Sequence, residues 1–546
     1  MFRRLKRCKE QQIVLPKFSE LQNPETIPQK IQDELLKVDM NETNPLNLFR
    51  INWRNEVNTG KIGEINFLEI PKEITGVKAR IIGMVGKFFP TGAHKVGATY
   101  GCLVPYLVTG KFNPEYHKAV WPSTGNYCRG GAFNSKLLSV HAVAILPEEM
   151  SKERFDWLKN IGAEIYATHG CESNVKEIYD KCHELEKESD EYLIFNQFDQ
   201  MGNPIWHYNI TGYEIEKVFN KIKNDNQRLS GFVSSTGSAG TIGAGDYLRT
   251  ISPNIKVVAS EALQCPTLLM NGFGAHRIEG IGDKHIPWVH NVKNTDAVVA
   301  IDDEEPLKIL RLFNEEDGLK FLSNLGIQDE IIKKLSWIGI SGISNIISSI
   351  KLAKYYEMNE NDIIFTIFTD SVDLYKSRLE EMNSAFGNYS LKQAEIDWYS
   401  ILQKQSIDYF QELTYVDKKR IHNLKYFTWV EQQGKSVEEL NAQWYDENYW
   451  TERFNVIPIW DKLIEEFNSK VGILQMKNIK KIKNVFIPHK ENDLKLVDIY
   501  FDSTIKKIKP VIDKTFNWNE VNTKEKRKKI AKEFSFDEKN ILIAIP

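Results

Sequence analysis

From Val77 to about Leu391 the chain alternates short apolar runs with longer amphipathic stretches. The runs Ala79–Gly83, Ala119–Trp121, His141–Leu146, Glu164–Tyr166, Tyr192–Phe195, Gly231–Ser234, Lys256–Ser260, Ala297–Ile301 and Ile363–Phe368 are short, apolar and bounded by turn formers, which predicts strands. Between them, helical spacing predicts helices over Val96–Leu107, Lys152–Asn160, Cys171–Lys187, Tyr213–Lys223, Ile242–Arg249, Pro306–Leu325, Ser344–Tyr356 and Leu374–Met382. Strand and helix in strict alternation imply an α/β fold with parallel strands and helices on both faces. One sheet rarely uses so many strands, so two lobes are expected.

The flanks follow other patterns. Residues 1–70 are mixed and polar with scattered aromatics such as Phe49 and Trp53, and read as a lead-in that wraps a core. Gln393 to Asn468 is dense in Trp, Tyr and charge, which predicts helices that bury aromatics against another surface. From Met476 the chain is Lys-rich with short alternating runs at Asn484–Ile487, Leu494–Phe501 and Ile541–Ile545, which suggest a small β-rich appendage. The expected organisation is a lead-in (1–70), a catalytic α/β unit (71–390), an aromatic-rich helical extension (391–475) and a β-containing tail (476–546).

Composition narrows the classes. A chain of 546 residues with 42% hydrophobic and 27% charged residues is an ordinary soluble, multi-unit protein. A formal net charge of -3 argues against nucleic acid or an anionic membrane as partner. The basic start (Arg3, Arg4, Lys6, Arg7, Lys9) has no apolar stretch behind it, so neither a secretory signal nor a membrane span is expected. Six cysteines without CxxC or metal-ligand spacing point to reduced thiols in a cytoplasm and to no metal site.

The candidate chemistry sits where predicted strands run into helices. Lys95, in Pro90-Thr91-Gly92-Ala93-His94-Lys95, follows the first strand and opens a helix; its amine can condense with a carbonyl if its environment favours the neutral form. Ser123-Thr124-Gly125-Asn126 suits a carboxylate through main-chain N–H groups, although, taken alone, Ser123 or Thr124 as an ordinary helix N-cap is the better account. Gly237-Ser238-Ala239-Gly240-Thr241 offers N–H groups at a helix start to a phosphate monoester. Neither GxxxxGK[ST] nor GxGxxG spacing is present, which excludes a P-loop and a dinucleotide fingerprint. Gly339-Ile340-Ser341 opens a further helix. It is no nucleophile elbow, because Ile343 stands where the second glycine would be. An imine-forming lysine, a phosphate cradle, and an Asn and a Ser for ring heteroatoms together describe a pyridoxal phosphate site.

These segments resemble, in order, those of the tryptophan-synthase-β-like group of pyridoxal phosphate enzymes (fold type II), most of all cysteine synthase and cystathionine β-synthase, over roughly Gly76 to Arg378. Asn196-Gln197-Phe198, Gly202-Asn203-Pro204 with His207, and His276-Arg277-Ile278-Glu279-Gly280-Ile281-Gly282 carry further likeness. The resemblance implies the two-lobed parallel-sheet fold of that group and a homodimer. It also implies that Lys95 carries the cofactor and removes the substrate α-proton. Asn126, Gly237, Ser238, Ala239, Gly240, Thr241 and Ser341 would bind the cofactor, and Ser123, Thr124, Gly125, Asn196 and Gln197 the substrate. The reaction implied is β-replacement or α,β-elimination on a small serine-, O-acetylserine- or cysteine-like L-amino acid, with an amino-acid dehydratase or desulfhydrase, or a non-catalytic cofactor-binding sensor, as alternatives. Three departures stand out: Ala239 where a glycine is usual, Asn196 in place of a glutamine, and Tyr127-Cys128-Arg129 where a small Thr-Gly pair is usual. The last is expected to crowd and charge the pocket.

Overall fold

The most apolar runs form the centre of two parallel sheets. The computed structural model describes residues 8, 10–11, 13–123, 125–171, 174–281 and 284–471, and the strands 479–490, 493–502, 507–517 and 542–543. Its strands up to residue 412 are β1 (Phe67–Ile70), β2 (Arg80–Val85), β3 (Lys118–Pro122), β4 (His141–Pro147), β5 (Glu164–Thr168), β6 (Tyr192–Ile194), β7 (Arg228–Ser235), β8 (Lys256–Ala262), β9 (Ala297–Ile301), β10 (Asp362–Phe368) and β11 (Phe410–Glu412). The larger sheet has the order β1-β2-β10-β7-β8-β9-β11, and the smaller β5-β4-β3-β6. Every pairing within β3–β6 and among β2, β10, β7, β8 and β9 is parallel. The two lobes and the parallel pairing expected from the alternation are therefore present.

The larger sheet is capped at both edges by antiparallel strands that the alternation did not signal. β1 comes from the end of the lead-in and pairs with β2, Phe67 opposite Met84. β11 comes from the extension and pairs with β9, Phe410 opposite Val299. Both are short, three or four residues, and carry a glutamate, so neither reads as a core run.

The helices that position the site are α1 (Lys95–Thr109), α2 (Asn126–Leu137), α3 (Lys152–Ile161), α4 (Val175–Glu188), α5 (Tyr213–Ile222), α6 (Ile242–Ile251), α7 (Glu304–Asn314), α8 (Glu316–Asn324), α9 (Ile340–Tyr355) and α10 (Lys376–Phe386). The single helix expected over Pro306–Leu325 is two, α7 and α8, because Glu315 adopts an extended conformation (φ -93°, ψ 149°). α9 starts four residues earlier than the apolar spacing suggested, at Ile340. α5 continues from the short helix Gly202–Trp206 through a π-helical turn, His207–Gly212. That short helix lies tight against α1: a Cβ on Gly101 would fall 2.3 Å from Gly202 O, and one on Gly202 would fall 2.2 Å from Gly101 O, so both positions require glycine.

The chain forms two compact units, Met1–Phe467 and Asn468–Pro546. The first includes the lead-in, which buries Phe49 and Trp53 and donates Trp53 Nε1–H to Thr211 Oγ1 at 3.1 Å. It also includes the extension, with α11 (Tyr415–Lys425) and α12 (Val437–Tyr445) followed by the helices Tyr449–Phe454 and Ile457–Val471. Only part of the aromatic set is buried there. Trp429, Trp444, Tyr449, Trp450 and Phe454 are inside, whereas Tyr399, Tyr409, Phe427 and Tyr445 face solvent. The second unit holds strands β12 (Ile479–Lys490), β13 (Asp493–Asp502), β14 (Lys507–Asn517) and β15 (Leu542–Ile543), ordered β14-β13-β12-β15. No helix among the described residues is long and apolar enough to cross a membrane.

Candidate active site

Four strand ends converge on one cavity. After β2 the chain turns through Pro90–Gly92, where Thr91 takes a left-handed φ of 72°, and places Lys95 as the first residue of α1. Its Nζ donates to Ser238 Oγ at 3.0 Å and to Gln197 Oε1 at 3.4 Å. Around it the cavity is lined by His94, Ser123, Asn126, Tyr127, Gln197, Phe198, Ser235, Gly237, Ser238, Thr241, Glu279, Gly280, Ser341 and Thr369. Lys95, Ser123, Asn126, Gln197, Gly237, Ser238, Thr241 and Ser341 are thus brought together from segments up to 246 positions apart (341 - 95).

β7 runs into the loop Thr236–Thr241 and then α6. Ala239 holds a φ of 58°, a left-handed conformation that explains why a glycine is favoured at such a position and that costs an alanine roughly 1 kcal/mol. Among the described residues, the main-chain N–H groups of Gly237 to Thr241 meet no protein acceptor. Such a run of N–H groups at a helix start can receive a phosphate. Gly240 is required here by a neighbouring side chain: a Cβ would lie 2.0 Å from Asn203 Oδ1. Asn203 is fully buried and donates to Gln197 O at 2.9 Å and Ser238 Oγ at 3.1 Å, so it braces the cradle against the Gln197 wall.

The Ser123 loop is held by Ser123 Oγ, which accepts from Gly125 N–H at 3.2 Å and Gln197 Nε2–H at 3.3 Å. Ser123 is no helix cap, since the N-cap of α2 is Gly125, without a side-chain cap. Thr124 lies outside the described residues. Asn126 donates to Asp370 Oδ2 at 2.6 Å, while its Oδ1 is buried with no protein partner. Ser341 stands in the first turn of α9, whose N-cap is Gly339 with no side-chain cap, and its carbonyl accepts from Ser235 Oγ at 3.2 Å.

Four expected residues do not line the cavity. Asn196 is a turn cap, its Oδ1 accepting from Phe198 N–H at 3.0 Å. Gly125, Ala239 and Gly240 belong to the cavity's loops without lining it. The expected charging of the pocket is also corrected. Of the Tyr127-Cys128-Arg129 run, only Tyr127 faces the cavity. Cys128 Sγ donates to Gly125 O at 2.9 Å, and Arg129 turns away to donate to Thr91 O at 2.9 Å and stack on Trp157.

Other groups behind the pocket have no local sequence signal. Asp370, at the end of β10, is fully buried, accepts from Asn126 and from Tyr375 OH at 2.8 Å, and is pushed above the usual carboxylate range by burial. Glu279 pairs with Arg154 of α3 at 3.0 Å and Arg378 of α10 at 2.9 Å. His94 is fully buried, and burial followed by the adjacent Lys95 charge holds it well below its usual range; its Nε2 meets Thr369 Oγ1 at 3.3 Å. The run Ile363–Phe368 marks Thr369 and Asp370 only as residues after a strand, and nothing local shows the tie of Asp370 to Asn126.

The donor set fits pyridoxal phosphate: an amine for its aldehyde, unpaired main-chain N–H groups for its phosphate, and neutral Asn126 and Ser341 for its ring. The comparisons agree. A family model described as pyridoxal-phosphate dependent enzyme matches residues 86–320. A probable cysteine synthase of Bacillus subtilis is 31% identical over 233 residues, 42% of this chain and 73% of the relative. The cystathionine beta-synthase of Saccharomyces cerevisiae is 27% identical over 319 residues, 57% of this chain and 59% of the relative. Among solved structures, O-acetyl serine sulfhydrylase isoform 3 from Entamoeba histolytica superposes with a TM-score of 0.51 at 22% identity, covering 62% of this chain and 92% of that one. The chain belongs to the pyridoxal-phosphate dependent enzymes of the cysteine synthase type.

Proposed function

We propose that this enzyme carries out β-replacement or α,β-elimination on a small L-amino acid with a leaving group at Cβ, of the serine, O-acetylserine or cysteine kind. The observation that carries the reading is Lys95 Nζ held between Ser238 Oγ and Gln197 Oε1, at the mouth of the unpaired N–H run. Pyridoxal phosphate, when bound, supplies an aldehyde to hold the amino group and a conjugated ring to take up charge from the α-carbon.

The remaining roles follow from the protein. Gly237 to Thr241 anchor the phosphate through N–H groups, aided by the positive end of α6. Lys95 Nζ is the group that accepts the α-proton. Of the other titratable groups on the cavity wall, His94 is kept uncharged by burial, the Tyr127 hydroxyl is pushed far up by burial, and Glu279 is tied to two arginines. Ser341 presents a neutral hydroxyl to the ring nitrogen; unlike a carboxylate, it does not hold a proton there. That weakens the ring as an electron sink and favours expulsion of a β-substituent over transamination. Ser123 and Gln197, hydrogen-bonded to each other, would hold the substrate carboxylate.

The family resemblance supports a homodimer, which sedimentation tests. All six cysteines are buried and none is in a disulfide among the described residues, which supports a reducing cytoplasm. The decisive experiment titrates the holoenzyme with L-serine, O-acetyl-L-serine and L-cysteine while following cofactor absorbance and pyruvate, sulfide or thioether release. A spectrum unmoved by all three sinks the proposal and leaves a binding-only role. Lys95→Ala should yield protein from which borohydride recovers no cofactor-modified peptide; recovery of one on another lysine refutes the assignment.

A further inference from the structure

Two irregular segments contribute to the cavity wall: Gln197-Phe198, and the residues 273–281 and 284–290, which include Glu279 and Gly280. Neither is held by a strand ladder. The second is held from outside by the extension. Lys425, at the end of α11, is fully buried and donates to Trp288 O at 2.9 Å, His290 O at 2.7 Å and Gln443 Oε1 at 2.7 Å. One turn on, Trp429 donates its ring N–H to Ile286 O at 2.8 Å. The three carbonyls gripped in this way flank Val289, whose N–H donates to Phe198 O at 3.1 Å. Phe198 lines the cavity, and its neighbour Gln197 accepts from Lys95. A second tie runs beside the first, from Lys435 to Asp199 at 2.7 Å. Apolar contact fills the space between, with Trp429, Trp288, Phe198, Tyr179 and Leu440 in one buried cluster.

A fully buried lysine amine, ringed by three neutral oxygens and pushed by burial well below its usual pKa, is an expensive way to attach a helix. An apolar side chain would attach α11 as firmly. The lysine instead fixes the direction of two main-chain carbonyls, those of Trp288 and His290 on either side of Val289, and with them the Val289–Phe198 hydrogen bond.

We propose that the aromatic extension is part of the substrate-pocket wall, and that Lys425 and Trp429 are positioning residues that set Gln197 and Phe198 relative to Lys95. The proposal rests on the reading of the Lys95 cavity as the active site. It weighs on substrate handling more than on cofactor anchorage, because the route from Lys425 reaches Gln197 directly and the Gly237–Thr241 loop only at second hand, through Asn203 and Lys95.

Trp429→Phe is the gentler test, keeping an aromatic ring while removing the indole N–H and part of the buried bulk; Lys425→Met is the severe one. Amide exchange at Val289, read in the protein without added substrate, should quicken by about tenfold in Trp429→Phe, since its hydrogen bond loses support. In the holoenzyme the same variant should lose about tenfold in kcat/KM for the amino acid, mostly through KM, with cofactor affinity within about twofold of wild type, because sub-ångström displacement of positioning groups costs rate. If Lys425→Met fails to fold, the phenylalanine variant still decides. Unchanged exchange at Val289 overturns the mechanical link whatever the enzyme's substrate. Quickened exchange with wild-type kinetics in folded protein shows the extension to be structural only, and also overturns the proposal. A wild-type enzyme that turns over no amino acid defeats the functional reading, and the exchange result then stands by itself.

Discussion

Gly240→Ala tests how the phosphate cradle is built. The added methyl would sit 2.0 Å from Asn203 Oδ1, well inside contact distance. Asn203 cannot swing aside freely, since it is fully buried and its Nδ2 holds Gln197 O at 2.9 Å and Ser238 Oγ at 3.1 Å. If it moves, both hydrogen bonds go, at about 1 kcal/mol each; if it stays, overpacking costs roughly 1–3 kcal/mol. Either route gives a loss near about 2 kcal/mol for Gly240→Ala. Asn203→Ala should cost about the same, because it removes the same two bonds and leaves a small void. The double variant should cost little more than either single one, giving a coupling of about 2 kcal/mol in a double-mutant cycle. Urea unfolding of the cofactor-free protein reads all four stabilities, provided the slopes match. Cofactor titration should show a similar loss in each single variant, since both release Ser238. Additive stabilities, within about 0.5 kcal/mol, would refute the argument and return Gly240 to the role of leaving room for an anion.

Ser341→Ala should slow α-proton loss by about tenfold to a hundredfold, if a ring hydrogen bond worth roughly 1.4–3 kcal/mol is lost from the transition state. Its thermal stability should barely move, because Ser341 does not cap α9; a less stable variant with normal turnover per folded molecule would show the serine to be structural. Asp246, on α6 and hydrogen-bonded by Asn291 and Asn294, is pushed by burial from 3.8 to about 7. A carboxyl with a raised folded pKa binds more protons folded than unfolded, so its stabilising effect is complete below about pH 4 and is lost as pH rises towards 7. Wild type should therefore lose stability relative to Asp246→Asn across that window, with a slope of at most about 1.4 kcal/mol per pH unit; parallel pH profiles would contradict the assignment.

How much of this was legible depends on range. The core strands were readable to within a few residues, because β10 is buried at every position and β9 at every position, and such runs need no alternation. β1 and β11 were not, since each is an edge of three or four residues whose partner is chosen by tertiary pairing. The strand order β1-β2-β10-β7-β8-β9-β11 has no counterpart in any local pattern. The same division holds at the site. Lys95, Asn126, Ser238 and Ser341 could be found because glycine and small hydroxyl residues at strand ends have few other uses. Asp370 and Arg154 could not, because their roles exist only through partners 244 and 125 positions away, Asn126 and Glu279 (370 - 126 and 279 - 154). The Arg129 departure was readable as a change but not as a direction, and it points at Thr91 rather than at the pocket.

Part of the chain's conformational strain falls on the loops of the same site. Among the described residues, non-glycine left-handed backbone occurs at Thr91, Ser139, Ala239, Asn271, Glu357 and Tyr409. Two of these, Thr91 and Ala239, lie in the loops that deliver Lys95 and the N–H cradle. Thr91 is the more informative, because a β-branched residue pays heavily for φ above zero. It is held there by Arg129, a fully charged side chain spent on its carbonyl at 2.9 Å. Beside these loops, Asn126 Oδ1 and Asp370 Oδ1 are buried without a protein partner. Strain and unmet polar atoms both cost stability, and a fold retains them together where they serve a ligand. In this chain that place is the mouth of α1 and α6, and the departures from the cysteine synthase pattern at Arg129 and Ala239 act on the backbone that shapes it.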